Sequence, residues 1–120
     1  MDRELTAPTG IALWWAGARA TFADLAQARH HRPVVILDNR RNLEWAEAHI
    51  DGAVHIPLHD LPGRVDEIPR GEVWVHCATG YRASVAASIL AAAGRHVVAV
   101  DDEFDRAADA GLPVVPASRR

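Results

Sequence analysis

Apolar and polar residues alternate along the 120-residue chain in blocks that have the lengths of strands and helices. Short continuous runs rich in β-branched residues are typical of strands buried on both faces of a parallel sheet. They predict strands at 34–37, 53–56, 73–76 and 97–100. Apolar residues at helical spacing predict the intervening helices, which begin at an N-cap on Thr21 and continue at 44–49, in short pieces within 58–68, at 83–93 and at 104–110.

This alternation predicts an α/β fold with a central, mostly parallel sheet flanked by helices on both faces. We expect a single domain over residues 20–116, an N-terminal extension over 1–19 and a short C-terminal tail over 117–120. The extension carries an apolar run that includes Trp14 and Trp15. We favour packing of this run on the domain, and its alternative is a contact with a protein partner or a second copy.

Composition excludes several kinds of chemistry. The net charge of -3 gives no reason to expect nucleic acid or an anionic membrane as a partner. All 13 basic residues are arginine, which excludes mechanisms that need a lysine Schiff base or a P-loop lysine. A single cysteine forms no internal disulfide, so we expect a reducing, cytoplasmic setting. We expect neither a secretory signal nor a membrane span.

The only cysteine, Cys77, follows the third predicted strand and opens a loop that runs to Arg82. Reactive groups of parallel α/β sheets lie at the carboxyl ends of strands. A thiol becomes a good nucleophile when a helix N-terminus or a nearby cation stabilises its thiolate, and this loop offers both. Gly80 permits a positive φ, which lets successive N–H groups point inward as an anion-binding nest. The alternative is an inert, buried cysteine.

Two families place a cysteine in such a loop. The run from Val75 to Ser84 resembles the protein tyrosine phosphatase signature, but that family has one more residue between its cysteine and arginine than the four found here. A shorter loop makes a smaller ring of amides, which suits the terminal sulfur of a persulfide better than a phosphate with three oxygens. The phosphatases also need an aspartate as general acid, for which Asp101 and Asp102 are candidates.

The loop length instead resembles the rhodanese family of sulfurtransferases, and the similarity covers roughly residues 20–115. Family motifs recur in order along the chain: Asp38-Asn39-Arg40, Glu44-Trp45, the stretch from His49 to Pro57, the loop from Cys77 to Arg82, Ala86-Ala87 with Leu90, and Ala110 to Pro113. The chain departs from the family at Asp102-Glu103, where a Gly-Gly turn is usual, so we expect a more acidic loop that bears on substrate access. The run from Asp101 to Phe104 and the loop from His76 to Arg82 also resemble those of rhodanese domains fused behind metallo-β-lactamase-fold hydrolases.

By this resemblance, Cys77 attacks the outer sulfur of thiosulfate or another sulfane donor and holds it as a persulfide. A thiol or another thiophilic acceptor then takes the sulfur. The resemblance assigns Ala78, Thr79, Gly80, Tyr81 and Arg82 to the loop that binds the persulfide, with Arg82 attracting an anionic donor. It implies structural ion pairs for Asp38 and Arg40, and a place for Tyr81 on the rim.

Two other functions compete with an enzymatic sulfurtransferase. One is a non-enzymatic sulfur carrier or redox-regulatory module whose partner docks on Trp14-Trp15. The other is a small cysteine-dependent phosphatase or arsenate reductase. We expect no cofactor. We also expect no metal site, because Pro57 keeps His55 and His59 off one helical face. His76 is expected under the sheet rather than as a base for the thiol, and Trp45 and Trp74 are expected in the core.

Overall fold

The computed structural model describes residues 20–116, so the Trp14-Trp15 segment lies outside the described residues. Helices α1 to α4 span Phe22–His31, Asn42–Glu47, Tyr81–Ala92 and Arg106–Asp109. Strands β1 to β6 span Val35–Asp38, Ala48–Ile50, Val54–His55, Val73–His76, Val97–Ala99 and Val114–Pro116. Short 3₁₀ helices occupy Leu58–Gly63 and Val65–Glu67. None of the described helices is long and apolar enough to cross a membrane.

Four strands form a parallel sheet in the order β3-β1-β4-β5, which confirms the predicted α/β fold. Strand β4 lies inside the sheet, with its residues Val73 to His76 in register with Val35 to Asp38 of β1. All four residues of β4 are buried, because helices cover both faces of the sheet. Cys77 directly follows the carboxyl end of this central strand.

The two faces of the sheet carry separate apolar cores. Val73, Val75 and Cys77 point to one face and pack with residues of α3, including Leu90. Trp74 points to the other face, where it packs with α1 and the segment around α4. This alternation follows from the two-residue period of a strand, and it confirms that Trp74 is a core residue. It also places Cys77 and His76 on opposite faces.

The local signals for helix ends are largely confirmed. The Thr21 hydroxyl accepts from the amide of Asp24 at 3.1 Å, while the Asp24 carboxylate accepts from the amide of Thr21 at 2.9 Å. This reciprocal capping box starts α1. Gly94 follows the C-terminal end of α3 with a φ of 82°, in the left-handed conformation that ends many helices.

The prediction of a helix at 44–49 is wrong at its C-terminal end. Helix α2 begins at Asn42 and ends at Glu47, and the chain then becomes strand β2. Strand β2 pairs antiparallel with β6, which joins Ile50 to Val114 across the small sheet. Burial of Ile50 and pairing with a strand more than sixty residues away outweigh the local helical pattern, so a local pattern could not predict this pair.

We expect Leu90→Ala to destabilise the domain by about 2–5 kcal/mol, because Leu90 is fully buried and the substitution leaves a cavity in its core. Urea denaturation followed by tryptophan fluorescence measures the free energy of unfolding. Leu43→Ala is the matched control, since Leu43 is 83% exposed and its truncation removes little buried area. Equal losses of stability in the two variants would contradict the packing described here.

Candidate active site

The sulfur of Cys77 lies in a cradle of backbone amides at the junction of β4 and α3. The amide of Gly80 donates to Sγ at 3.0 Å, and the amide of Ala83 donates to it at 3.2 Å. The side chain is fully buried in the apolar core beneath α3. Amides at the start of a helix have no carbonyl partner within that helix, so they are free to stabilise negative charge on the sulfur.

The cradle depends on a glycine at position 80. Gly80 is the N-cap of α3 and has a φ of 112°, a conformation that side-chain-bearing residues rarely adopt. A Cβ at this position would also overlap the carboxylate of Asp101 and lie 3.1 Å from its Cα. Helix α3 therefore begins at Tyr81, two residues before the predicted start, which brings the Ala83 amide into the cradle.

The loop arginine is held by a carboxylate. Nη1 and Nη2 of Arg82 donate to Oε1 and Oε2 of Glu44 at 2.9 and 3.0 Å. Hydrogen bonding to Arg82 lowers the pKa of Glu44 to about 2, and the same hydrogen bonds raise the pKa of Arg82. In the sequence, Glu44 stands out only as half of the Glu44-Trp45 motif. Its pairing with Arg82 could be recognised only from the fold, which brings α2 to the loop.

A second ion pair lies beneath the loop. Arg40 donates to both carboxylate oxygens of Asp38, and its Nη2 also donates to the carbonyl of Ala48 at 2.7 Å. Both side chains of the pair are buried, and the guanidinium lies 3.8 Å from the centre of the Phe104 ring. The ion pair expected from the sequence is present, and it ties the end of β1 to β2 and to the loop before α4.

His76 lies on the face of the sheet opposite Cys77, as expected from the strand period. It packs against the rings of Phe22 and Phe104, with centroids 5.2 and 5.5 Å away. Burial lowers its pKa to about 4, although the nearby carboxylate of Asp38 acts in the opposite direction. A neutral histidine enclosed on the other face cannot accept a proton from the thiol.

An open cleft of about 400 Å³ lies beside the cysteine loop. Its walls come from the segment after β1, from α2 and the start of β2, from the start of the loop and from the turn before α4: Arg40, Glu44, Glu47, Ala48, Ala78, Thr79, Glu103, Phe104 and Asp105. The cleft meets the loop at Ala78, which follows Cys77 directly. Tyr81 is 76% exposed at the first residue of α3.

Asp102 and Glu103, which stand where the family usually has a Gly-Gly turn, lie next to the cleft. Asp102 accepts a hydrogen bond from the amide of Phe22 at 3.1 Å, so it ties the turn to the start of α1. Glu103 lines the cleft. The amide of Phe104 donates to the carbonyl of Ala78 at 2.9 Å, which fixes this acidic turn against the cysteine loop.

Between residues 20 and 116, the histidines and acids form no cluster of three or more groups that could hold a metal ion. His55 instead contacts the carbonyl of Arg40 through Nε2 at 2.8 Å and stacks on Trp45, with the two ring centres 4.7 Å apart. His49 stacks on the same ring at 3.6 Å. The expectation that Trp45 is a core residue is wrong, because these histidines cover it only partly and its side chain stays half-buried.

Comparison with known proteins shows the class to which this fold and loop belong. Residues 21–108 match the model of the rhodanese-like domain, and the chain belongs to this family. A rhodanese-related protein from Thermoplasma volcanium superposes with a TM-score of 0.71 at 27% identity, covering 82% of this chain and 98% of that one. A rhodanese-like domain protein from Staphylococcus aureus gives a TM-score of 0.69 at 28% identity, covering 78% and 94%.

Curated relatives carry different functional names. A helix-turn-helix transcriptional regulator of Mycobacterium tuberculosis is 34% identical over 97 residues, covering 78% of this chain and 43% of the regulator. The protein YrkF of Bacillus subtilis, named as a sulfur carrier, is 39% identical over 56 residues, covering 46% of this chain and 30% of YrkF. The chain therefore spans less than half of the length of these relatives.

We expect Glu44→Gln to reduce stability by about 1 kcal/mol at neutral pH, a value kept small because the pair is partly solvated. The pKa of Glu44 falls from 4.5 in the unfolded chain to about 2, so its contribution is complete above pH 4.5 and disappears as the pH falls towards 2. Denaturation of both proteins across this range should show the difference shrinking with acid.

The matched control for this experiment is Glu67→Gln. Glu67 also pairs with an arginine, Arg64, but the pair lies on the exposed surface, so we expect a smaller effect. A Glu44→Gln difference that stayed constant from pH 6 to pH 2 would contradict the assignment of the low pKa to the Arg82 pair.

Proposed function

We propose that this protein is a sulfurtransferase that carries a sulfane sulfur as a persulfide on Cys77. The observation that carries the proposal is the pair of amides, from Gly80 and Ala83, that donate to Cys77 Sγ at the N-terminus of α3. This arrangement stabilises a sulfur anion as nucleophile and again as leaving group. Membership of the rhodanese-like family supports the same chemistry.

In the first step, the Cys77 thiolate attacks the outer sulfur of thiosulfate or a related sulfane donor. The new bond joins Sγ to that sulfur, the sulfur–sulfur bond of the donor breaks, and its electron pair leaves on sulfite. Cys77 then carries a terminal persulfide anion. The loop from Ala78 to Arg82 surrounds this sulfur in the proposal, with N–H groups available on one side.

In the second step, an acceptor thiol gives its proton to the terminal sulfur and attacks it as a thiolate. The bond between Sγ and the terminal sulfur breaks, and the electron pair returns to Sγ as a thiolate. The acceptor departs as a persulfide, so no external oxidant, reductant or metal is needed. The Gly80 and Ala83 amides receive the charge that returns to Sγ.

The remaining site residues act on the loop rather than on the sulfur in this proposal. Arg82 shapes the cradle through its pair with Glu44, and Asp38 with Arg40 supports the loop from beneath. In this proposal Tyr81 contacts the acceptor at the rim, which the large exposure of its side chain supports. A reducing cytoplasm suits the reaction because it keeps the thiol free.

We expect Cys77→Ser to abolish thiocyanate formation from thiosulfate and cyanide, because a serine hydroxyl forms no persulfide. We expect the serine hydroxyl to accept hydrogen bonds from the same amides, so the midpoint of thermal unfolding should change little. The assay compares the two proteins at equal concentration. Retained thiocyanate formation in the variant would contradict the proposal, as would hydrolysis of an aryl phosphate by the wild-type protein with no sulfur transfer.

A sulfur-carrier or regulatory module is the second candidate function. The names of the two curated relatives favour it, since one is called a sulfur carrier and the other a transcriptional regulator. In this version, the persulfide on Cys77 passes to a protein partner, and the Trp14-Trp15 segment supplies the docking contact. The likeness to rhodanese domains fused to hydrolases offers another kind of partner and stays a prediction.

Deletion of residues 1–18 separates the two candidates. For a carrier, we expect the truncated chain to load sulfur on Cys77 at the full rate and to lose binding of its partner in a pull-down with the persulfide-loaded protein. For a free-standing enzyme, transfer to small thiols should be unchanged by the deletion. Loss of sulfur loading itself would show that the segment supports the fold instead.

A further inference from the structure

Asn39 lies beside the cysteine loop but has no part in the two reaction steps. Its backbone amide donates to the carbonyl of His76 at 3.1 Å, and its carbonyl accepts from the amide of Leu58 at 3.2 Å. The first of these bonds continues the pairing of β1 with β4 by one residue, so Asn39 stands next to Cys77 at the carboxyl ends of neighbouring strands. Both backbone groups of Asn39 are thus fixed, and the residue is only 1% exposed.

The side chain of Asn39 contacts the peptide group that joins Arg82 to Ala83. Its Nδ2 donates to the carbonyl oxygen of Arg82 at 3.4 Å. The N–H of the same peptide group, which belongs to Ala83, donates to Cys77 Sγ at 3.2 Å. The opposite orientation of the Asn39 amide would set two carbonyl oxygens against each other, so Nδ2 belongs on this side. A single peptide group therefore connects the buried amide of Asn39 to the sulfur.

Two hydrogen bonds on one peptide group strengthen each other. A donor at the carbonyl oxygen polarises the peptide group, which makes its N–H a better donor to the sulfur. Conversely, negative charge on Sγ polarises the same group and strengthens the bond that its carbonyl oxygen accepts from Asn39. At 3.4 Å this bond is long, as hydrogen bonds of an active site often are until the reaction complex forms. The contact therefore favours the anionic sulfur over the protonated thiol.

The oxygen of the same side chain argues against a purely structural role. Oδ1 of Asn39 is buried and has no hydrogen-bond partner among the residues that the structure describes. Burying an unpaired acceptor lowers the stability of a protein, so an apolar side chain of similar size would suit the fold as well or better. Polar groups that cost stability are expected at functional sites. The contribution of Asn39 to the cradle is therefore its Nδ2 donor rather than its packing.

We propose that Asn39 is a positioning residue of the cysteine loop, which acts on the sulfur of Cys77 through the amide of Ala83. By holding and polarising the peptide group of that amide, it stabilises the thiolate that attacks the sulfur donor and the thiolate that returns when the acceptor departs. Asn39 itself transfers no proton and forms no bond to sulfur. This role rests on the proposed function and adds a residue to the same site.

The test titrates Cys77 in the full chain through the ultraviolet absorbance of its thiolate. Cys77→Ser, which contains no cysteine, supplies the baseline. The variant Asn39→Leu replaces the amide by an apolar group of similar size. We expect it to move the midpoint of the titration upward by about half a pH unit, because the thiolate loses part of its stabilisation. The midpoint of thermal unfolding should stay the same or rise, since the unpaired Oδ1 is removed.

A second variant, Asn39→Asp, keeps the shape of the side chain and replaces the donor by an acceptor. Its oxygen repels the carbonyl of Arg82 and its charge disfavours the thiolate, so we expect a larger upward shift, of about one pH unit. The matched control is Ile68→Ala. Ile68 is buried in the same apolar core, but its carbonyl accepts from Arg95, beyond the other end of α3. We expect this control to lower the stability and to leave the titration unchanged.

The outcomes separate the role of Asn39 from the proposed function. If Asn39→Leu titrates as the wild type, or lowers only the midpoint of unfolding, the side chain serves the fold alone and the positioning role is wrong. An equal shift in Ile68→Ala would also overturn this role, because lost stability would then explain the effect. If the titration shifts in the Asn39 variants alone but the wild type forms no thiocyanate from thiosulfate and cyanide, Asn39 still supports the cradle and the proposed function fails.

Discussion

The turn between β4 and α3 is the constraint on which the rest of the site depends. It must leave a buried strand, bring two amides to within 3.2 Å of one sulfur and start a helix within four residues. The chain makes this turn with Gly80 in the left-handed conformation, and the close approach of Asp101 leaves no room for a side chain there. The cradle is thus a consequence of backbone geometry, which no single side chain provides.

The turn is packed on both faces of the sheet. On one face of the sheet, Cys77 shares a core with Leu90 and other residues of α3. On the other face, His76, Phe104 and the pair of Arg40 with Asp38 form a stacked layer beneath the loop. Burying a charged pair is favourable only when its hydrogen bonds are satisfied, and here the carboxylate receives four from Arg40 while the arginine also reaches the carbonyl of Ala48.

Much of the fold could be predicted from the sequence where the signals were local. The run at 73–76 is both the predicted and the observed strand, and Thr21 with Asp24 caps α1 as the spacing indicated. The β2–β6 pair could not be predicted in this way, because its partners lie far apart in sequence and each strand has three residues. Trp45 was misplaced for a related reason: its apolar character did not show that two histidine rings would cover it on a half-exposed helix.

The same contrast between local and long-range signals applies to the candidate site. The cysteine, the glycine and the arginine are adjacent in sequence, so their spacing was enough to predict the cradle. The Glu44 partner of Arg82 and the acidic walls of the cleft come from α2 and from the turn before α4, so their meeting required the fold.

The central claim is that Cys77 carries the sulfur, and intact mass spectrometry with peptide mapping after thiosulfate treatment tests it most directly. The account predicts a gain of one sulfur atom on the peptide that contains Cys77, removed by a thiol and absent from Cys77→Ser. An unchanged mass after treatment with thiosulfate and with inorganic polysulfide, or a gain located elsewhere in the chain, would contradict it.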